Sequence, residues 1–154
     1  MPYLSALEQK LLLIGGEALV LRNETREDTA LIVKEGKLFP VRYRRVQQGE
    51  SNGCHANSAR LYLAGRQIAT GYGLKEGLWR QRSWGVEDYV TESGKVVERI
   101  VETTVKFRLY FGLVRSDRKA FRFGIENLGV GPEELGRREQ EFLRGKFEAY
   151  EDEL

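Results

Sequence analysis

One cysteine, one histidine, one methionine and three prolines are all that this 154-residue chain has of those types. A lone cysteine excludes a disulfide within the chain. One cysteine and one histidine also fall short of the three or four ligands that protein zinc sites use. The histidine stands in His55-Ala56-Asn57-Ser58, without the H-x-E and paired C-x-x-C of a zinc deaminase. No metal or cofactor is expected. Gly71-Tyr72-Gly73 and Gly129-Val130-Gly131 lack both the P-loop lysine and the full dinucleotide fingerprint, so they read as turns and kinks. There is no apolar run near the ~20 residues that span a bilayer, no signal-peptide pattern, and no repeat or low-complexity tract. The chain therefore reads as soluble and cytoplasmic, with no membrane partner. Charge of one sign is scarce too. The net charge is +2, divided into −4 over residues 133 to 154 (eight acids, four bases) and +6 over the rest. That asymmetry is too mild to announce a nucleic-acid partner. Arg42, Arg44 and Arg45 around Tyr43 read as a solvated face, although basic strands with interleaved aromatics do bind single strands.

What is present suits a single domain over residues 1–154, long enough to bury a core without staples. Leu4, Leu7, Leu11 and Leu12 share a helical face, Ser5 and Glu8 form a capping-box pair, and Gly15-Gly16 ends the segment. A second helix is expected over 25 to 34, opened by Thr25 and Asp28. Lys37 to Val46 alternates as a strand, with Pro40 placing it at an edge or a strand start. A helix over 54 to 64 follows, with Cys54, Ser58, Leu61 and Tyr62 in one stripe. Strands are then predicted at 67 to 74, 77 to 90, 96 to 104, about 107 to 114, and 119 to 125, with turns at Lys75-Glu76-Gly77 and Glu92-Ser93-Gly94. A last helix opens at Pro132, with Leu135, Phe142, Phe147 and Tyr150 on one side. The fold class is α+β: N-terminal helices, one of them bearing Cys54, packed on an antiparallel meander, and a C-terminal helix.

Chemistry concentrates in Gly49 to Gly65, which places Cys54 and His55 at the start of a helix capped by Ser51 or Asn52 and stopped by Gly65. Free N–H groups and the positive end of the helix dipole favour a thiolate there, which makes a nucleophile of a small hydrophobe. A buried, inert cysteine is the plain alternative. His55 is adjacent on the helix, about 100° away, so it packs or bonds locally rather than facing Cys54.

A cysteine opening a helix, followed by W-x-x-x-S-W (Trp79 to Trp84) and V-E-T-T (Val101 to Thr104), resembles the papain-like cysteine hydrolases, the transglutaminase-like and NlpC-type peptidases above all. The likeness covers roughly residues 46 to 104. It implies a papain-like arrangement in which Cys54 is the nucleophile, residue 82 holds the histidine position, Glu102 the orienting carboxylate and Gln48 an oxyanion donor. Trp79, Trp84 and Tyr72 would line a substrate cleft, or else serve as core and cross-strand pairs. The pattern departs at Arg82, because a guanidinium stays protonated at any working pH and cannot accept the thiol proton. Two functions follow from the resemblance. One is a cysteine amidase, peptidase or acyltransferase with an altered base position, acting on an amide or acyl bond. The other is a catalytically silent relative that uses the cleft around Arg82 for a peptide, a protein or an acidic ligand.

Overall fold

The computed structural model describes residues 5–20, 26–49, 53–128 and 137. Helix α1 (Ala6–Ile14) opens on Ser5, whose hydroxyl oxygen accepts the Glu8 N–H at 3.1 Å, and it buries Leu7 and Leu11. It stops at Gly15, whose carbonyl takes the Trp79 indole N–H at 2.9 Å. A two-residue strand, β1 (Ala18–Leu19), comes before helix α2 (Arg26–Glu35). The strand expected over 37–46 is broken into β2 (Lys37–Leu38) and β3 (Arg45–Val46). Pro40 cannot donate to a ladder, and the chain turns beyond it, with Arg44 N–H returning to the Val41 carbonyl.

Helix α3 (Cys54–Leu63) buries the expected stripe of Cys54, Ser58, Leu61 and Tyr62. Gly65 takes the left-handed conformation, φ +86°, and the Gly65 and Arg66 N–H groups close the helix on Tyr62 and Leu61. Its N-cap is Gly53, which offers no side chain; the caps expected at Ser51 or Asn52 lie outside the described residues. Four long strands follow: β4 (Gln67–Lys75), β5 (Leu78–Val90), β6 (Val96–Glu102) and β7 (Leu109–Val114). Glu76 and Gly77, with φ of +52° and +78°, form the two-residue turn that the right-handed twist of a hairpin favours.

The strand order is β2-β7-β4-β5-β6-β3, with β1 parallel on β5 and β3 parallel on β6. The meander therefore holds for β4 to β6 only. β7 returns to pair with β4, where Gly71 faces Gly112; a Cβ on Gly71 would lie 2.1 Å from the Phe111 carbonyl oxygen. Residues 119–125 are not a strand. They belong to helix α4 (Asp117–Leu128), where Ser116 accepts the Lys119 N–H and Ala120 and Phe123 are buried three residues apart. Phe121-Arg122-Phe123 alternates like a strand over three residues, too short a span to tell the two periods apart. The helix expected from Pro132 lies outside the described residues, save for Arg137, which is helical.

Successive strand residues point to opposite faces. One face is covered by helices. α1 and α2 set Leu7, Leu11 and Ile32 against Tyr72, Leu74, Trp79 and Phe111, while α3 and α4 set Ala59, Leu61, Tyr62, Ala120 and Phe123 against Ile68 and Val101. The other face gathers Phe39, Trp84, Val86, Ile100, Phe107 and Tyr110. Across that face Lys37 of β2 pairs with Glu98 of β6 at 3.2 Å. These strands are four spacings apart, about 19 Å in a flat sheet, so the sheet curls around the Trp84 cluster. The architecture is α+β, with helices against a mostly antiparallel sheet. Among the described residues no helix is long and apolar enough to cross a membrane.

Candidate functional site

The site forms where the β5–β6 pairing stops. The ladder ends at Gly85 opposite Val101, and the first turn of α3 meets β5 at residues 82 and 83, just beyond that end. Ser83 points to the helix side. Its buried hydroxyl donates to the Cys54 carbonyl at 3.1 Å and lies 2.8 Å from His55 Nδ1. With the hydroxyl proton given to the carbonyl, Nδ1 is the donor to Ser83 Oγ. The other side of the imidazole environment is Phe123, edge-on at 5.7 Å. Ser83 thus pins both ends of the Cys54-His55 step, and the His55 bond to it is a tertiary contact across 28 residues of sequence, not the local one expected from its helix position. Ser83→Ala is expected to cost about 1 to 2 kcal/mol, the loss of two hydrogen bonds at a buried site, in urea unfolding. An unchanged midpoint would mean that the serine does not hold the helix start.

Arg82, next along β5, points to the other face. Its guanidinium lies 4.9 Å from the Phe107 ring centre and brings Nη1 to 3.6 Å from Cys54 Sγ. Cys54 itself is only 3% exposed. Among the described residues Arg82 forms no ion pair, and its buried Nε has no hydrogen-bond partner. A guanidinium beside a thiol donates and cannot accept, so this pair holds and orients charge without moving a proton.

Glu102 ends β6 and is buried, at 1% exposure. One carboxylate oxygen accepts from the Thr103 and Thr104 N–H groups, each at 3.0 Å, and from the Thr104 hydroxyl at 3.1 Å. The other accepts from the Tyr110 hydroxyl at 2.7 Å. Tyr110 in turn accepts from the Phe107 N–H at 3.1 Å and from Arg44 at 3.4 Å. Burial first, then the negative charge of Glu102 beside it, raises the Tyr110 phenol well above its ordinary pKa. Glu102 therefore does not touch Arg82. The two are joined through Phe107, whose ring lies against the guanidinium and whose N–H reaches the Tyr110 oxygen.

Of the other expected site residues, Gln48 is exposed, and its side-chain amide turns to the Gly49 carbonyl at 3.3 Å. Its neighbours run beside the end of β6, Gln47 and Gly49 donating to the carbonyls of Glu102 and Thr103. Trp79, Trp84 and Tyr72 are core residues. Trp79 and Tyr72 lie under α1 and α2, and Trp84 packs edge-on to Phe39 and Tyr110 in the other cluster. They line no common cleft, because β5 turns Trp79 and Trp84 to opposite faces. The structure thus joins Cys54 with Arg82, and separately Glu102 with Tyr110. Phe107, Tyr110 and Ser83 are the participants that the residue pattern did not single out. Ser83 lay inside the W-x-x-x-S-W signature, whereas nothing local marks Tyr110. No family model, curated protein or solved structure matches the chain.

Proposed function

We propose that this chain is a papain-like thiol protein whose cysteine site has passed from bond cleavage to binding, with Arg82 as the recognition cation for a carboxylate on a peptide or protein partner. The observation that carries this is the 3.6 Å approach of Arg82 Nη1 to Cys54 Sγ, with the guanidinium where a cysteine hydrolase needs a base. Several features support the family reading. A cysteine stands in the first turn of a helix laid against a mostly antiparallel sheet, and β5, the strand after the hairpin turn, brings Arg82 to it, while Glu102 at the end of β6 is engaged separately by Tyr110. The guanidinium has no carboxylate partner among the described residues, and a fixed planar cation favours a bidentate carboxylate.

The test compares wild-type protein with Arg82→Gln and Arg82→His. Acidic fluorescent peptides are titrated by anisotropy, with their amidated, neutral counterparts as controls. Wild type is expected to prefer the acidic set, and Arg82→Gln to lose about 10-fold or more, the worth of a charge-assisted hydrogen-bond pair. Binding indifferent to Arg82→Gln would sink the recognition role. Arg82→His restores a group able to take the thiol proton. Turnover of an amide substrate by that variant, absent in wild type, is the expected sign of a site that lost its base. Turnover by wild type would instead establish the cysteine amidase, peptidase or acyltransferase.

A further inference from the structure

A second site lies at the far end of the β5–β6 hairpin. Tyr89 is seven residues along β5 from Arg82, about 23 Å at strand rise. Here a pocket of about 400 Å³ is lined by Arg42, Tyr43, Tyr89, Thr91, Glu92 and Ser93, a size at the small end of ligand pockets. Its aromatic wall is a tilted pair, Tyr43 and Tyr89, with ring centres 5.2 Å apart. Arg99 braces that pair from the Tyr89 side, its guanidinium 4.5 Å from the ring centre and fastened to Glu87 at 2.7 Å. Arg42 approaches the Tyr43 ring at 5.2 Å. The Thr91 and Ser93 hydroxyls bond each other at 2.9 Å in the turn.

The charges decide what fits. Among the described residues neither Arg42 nor Glu92 forms an ion pair, and they do not pair with each other, yet both line the same pocket. Arg99 does not line the pocket, and its guanidinium is held by Glu87, a carboxylate it shares with Arg45 and Arg66. One uncompensated cation and one uncompensated anion around a small aromatic-walled space call for a ligand that carries both signs. A phosphate would meet Arg42 but be repelled by Glu92, and an amine would meet the reverse.

We propose that this pocket binds a free α-amino acid with an apolar side chain, taken as the zwitterion. Arg42 receives the carboxylate through its fork of N–H donors, Glu92 receives the ammonium, and the tyrosine pair lies against the side chain. This inference is independent of the reading given to Cys54 and Arg82.

The experiment is calorimetric titration of the full chain with L-phenylalanine, 3-phenylpropionate and 2-phenylethylamine, which present both charges, the anion alone and the cation alone. L-Phenylalanine is expected to bind at least about 10-fold more tightly than either half-ligand. Arg42→Gln is expected to weaken L-phenylalanine and 3-phenylpropionate by about 10-fold and leave 2-phenylethylamine unchanged, and Glu92→Gln to do the converse. Both residues are exposed, so neither substitution removes buried packing. Arg82→Gln is expected to bind L-phenylalanine like wild type, which separates this site from the one at Cys54. Absence of saturable L-phenylalanine binding, half-ligands that bind as well as the whole, or variants without effect would each overturn the assignment.

Discussion

Replacing Glu102 with alanine is expected to remove about 3 to 5 kcal/mol of folding stability, against about 1 to 2 kcal/mol for glutamine. Alanine leaves two backbone N–H groups, the Thr104 hydroxyl and the Tyr110 hydroxyl without the acceptor they share, in a place that water does not reach. Glutamine keeps the shape and one oxygen for the threonine side. Its amide N–H₂ then faces Tyr110, whose oxygen already accepts from Phe107 and Arg44, so one donor clash replaces four losses. Urea unfolding of the three proteins reads the difference directly. Alanine and glutamine variants of equal stability would show that the carboxylate is not what organises the Thr103–Tyr110 turn. Arg82 also depends on this turn, because its guanidinium rests on the Phe107 ring. The alanine variant should accordingly lose acidic-peptide binding together with stability.

The second large effect is expected in acid. Glu87 lies on β5 among Arg45, Arg99 and Arg66, with contacts of 2.7, 2.7 and 3.0 Å, and its side chain is 9% exposed. The hydrogen bond from Arg45 is the largest influence on its carboxyl, opposed by burial and reinforced by Arg99, and together these hold its pKa down at about 2 from an ordinary 4.5. The folded state therefore binds the proton less readily than the unfolded chain. The stabilisation is present above pH ~4.5 and is lost as the pH falls from there towards ~2. Lowering from 4.5 to about 2 corresponds to about 3 kcal/mol. Chemical unfolding of wild type and Glu87→Gln from pH 7 to pH 2 checks it. Wild type should be the more stable at neutral pH, and the gap should close across that window. A gap that stayed constant down to pH 2 would place the effect in packing rather than in charge. Arg45 belongs to the short edge strand β3 and Arg99 to β6, so the same carboxylate ties the segment leading to α3 onto the sheet.

Much of the fold was readable from local chemistry. Ser5 caps α1, Gly65 stops α3, and Glu76-Gly77 turns the first long hairpin, because each rests on a backbone conformation that a particular residue favours or a cap it supplies. The four-residue stripe on α3 was legible for a similar reason, since a 3.6-residue period needs only a dozen residues to declare itself. Residues 119–125 fit a strand because Phe121-Arg122-Phe123 alternates, a span too short to outweigh the helical spacing of Ala120 and Phe123 that the fold uses. Lys37 to Val46 fits one strand by alternation, which does not reveal where the chain turns after Pro40. The return of β7 to β4 was not legible at all. It depends on Gly71 meeting Gly112 and on Phe107 packing over Gly73, contacts between residues more than thirty positions apart.

For the site, the sequence by itself determined the inventory: a sulfur in the first turn of a helix, an arginine and a serine side by side on the next hairpin, and a carboxylate at the end of the strand after that. Residue type and helical or strand period suffice for this, because they decide what each element carries and how its side chains alternate. Only the tertiary structure decided the pairings. It set Arg82 against Cys54 and Ser83 against the helix start, sealed Glu102 inside a ring of donors from Thr103 to Tyr110, and consigned both tryptophans to the core. The physical reason is that the end of the β6 ladder and the curl of the sheet fix which faces converge, and those depend on contacts spread over the whole chain.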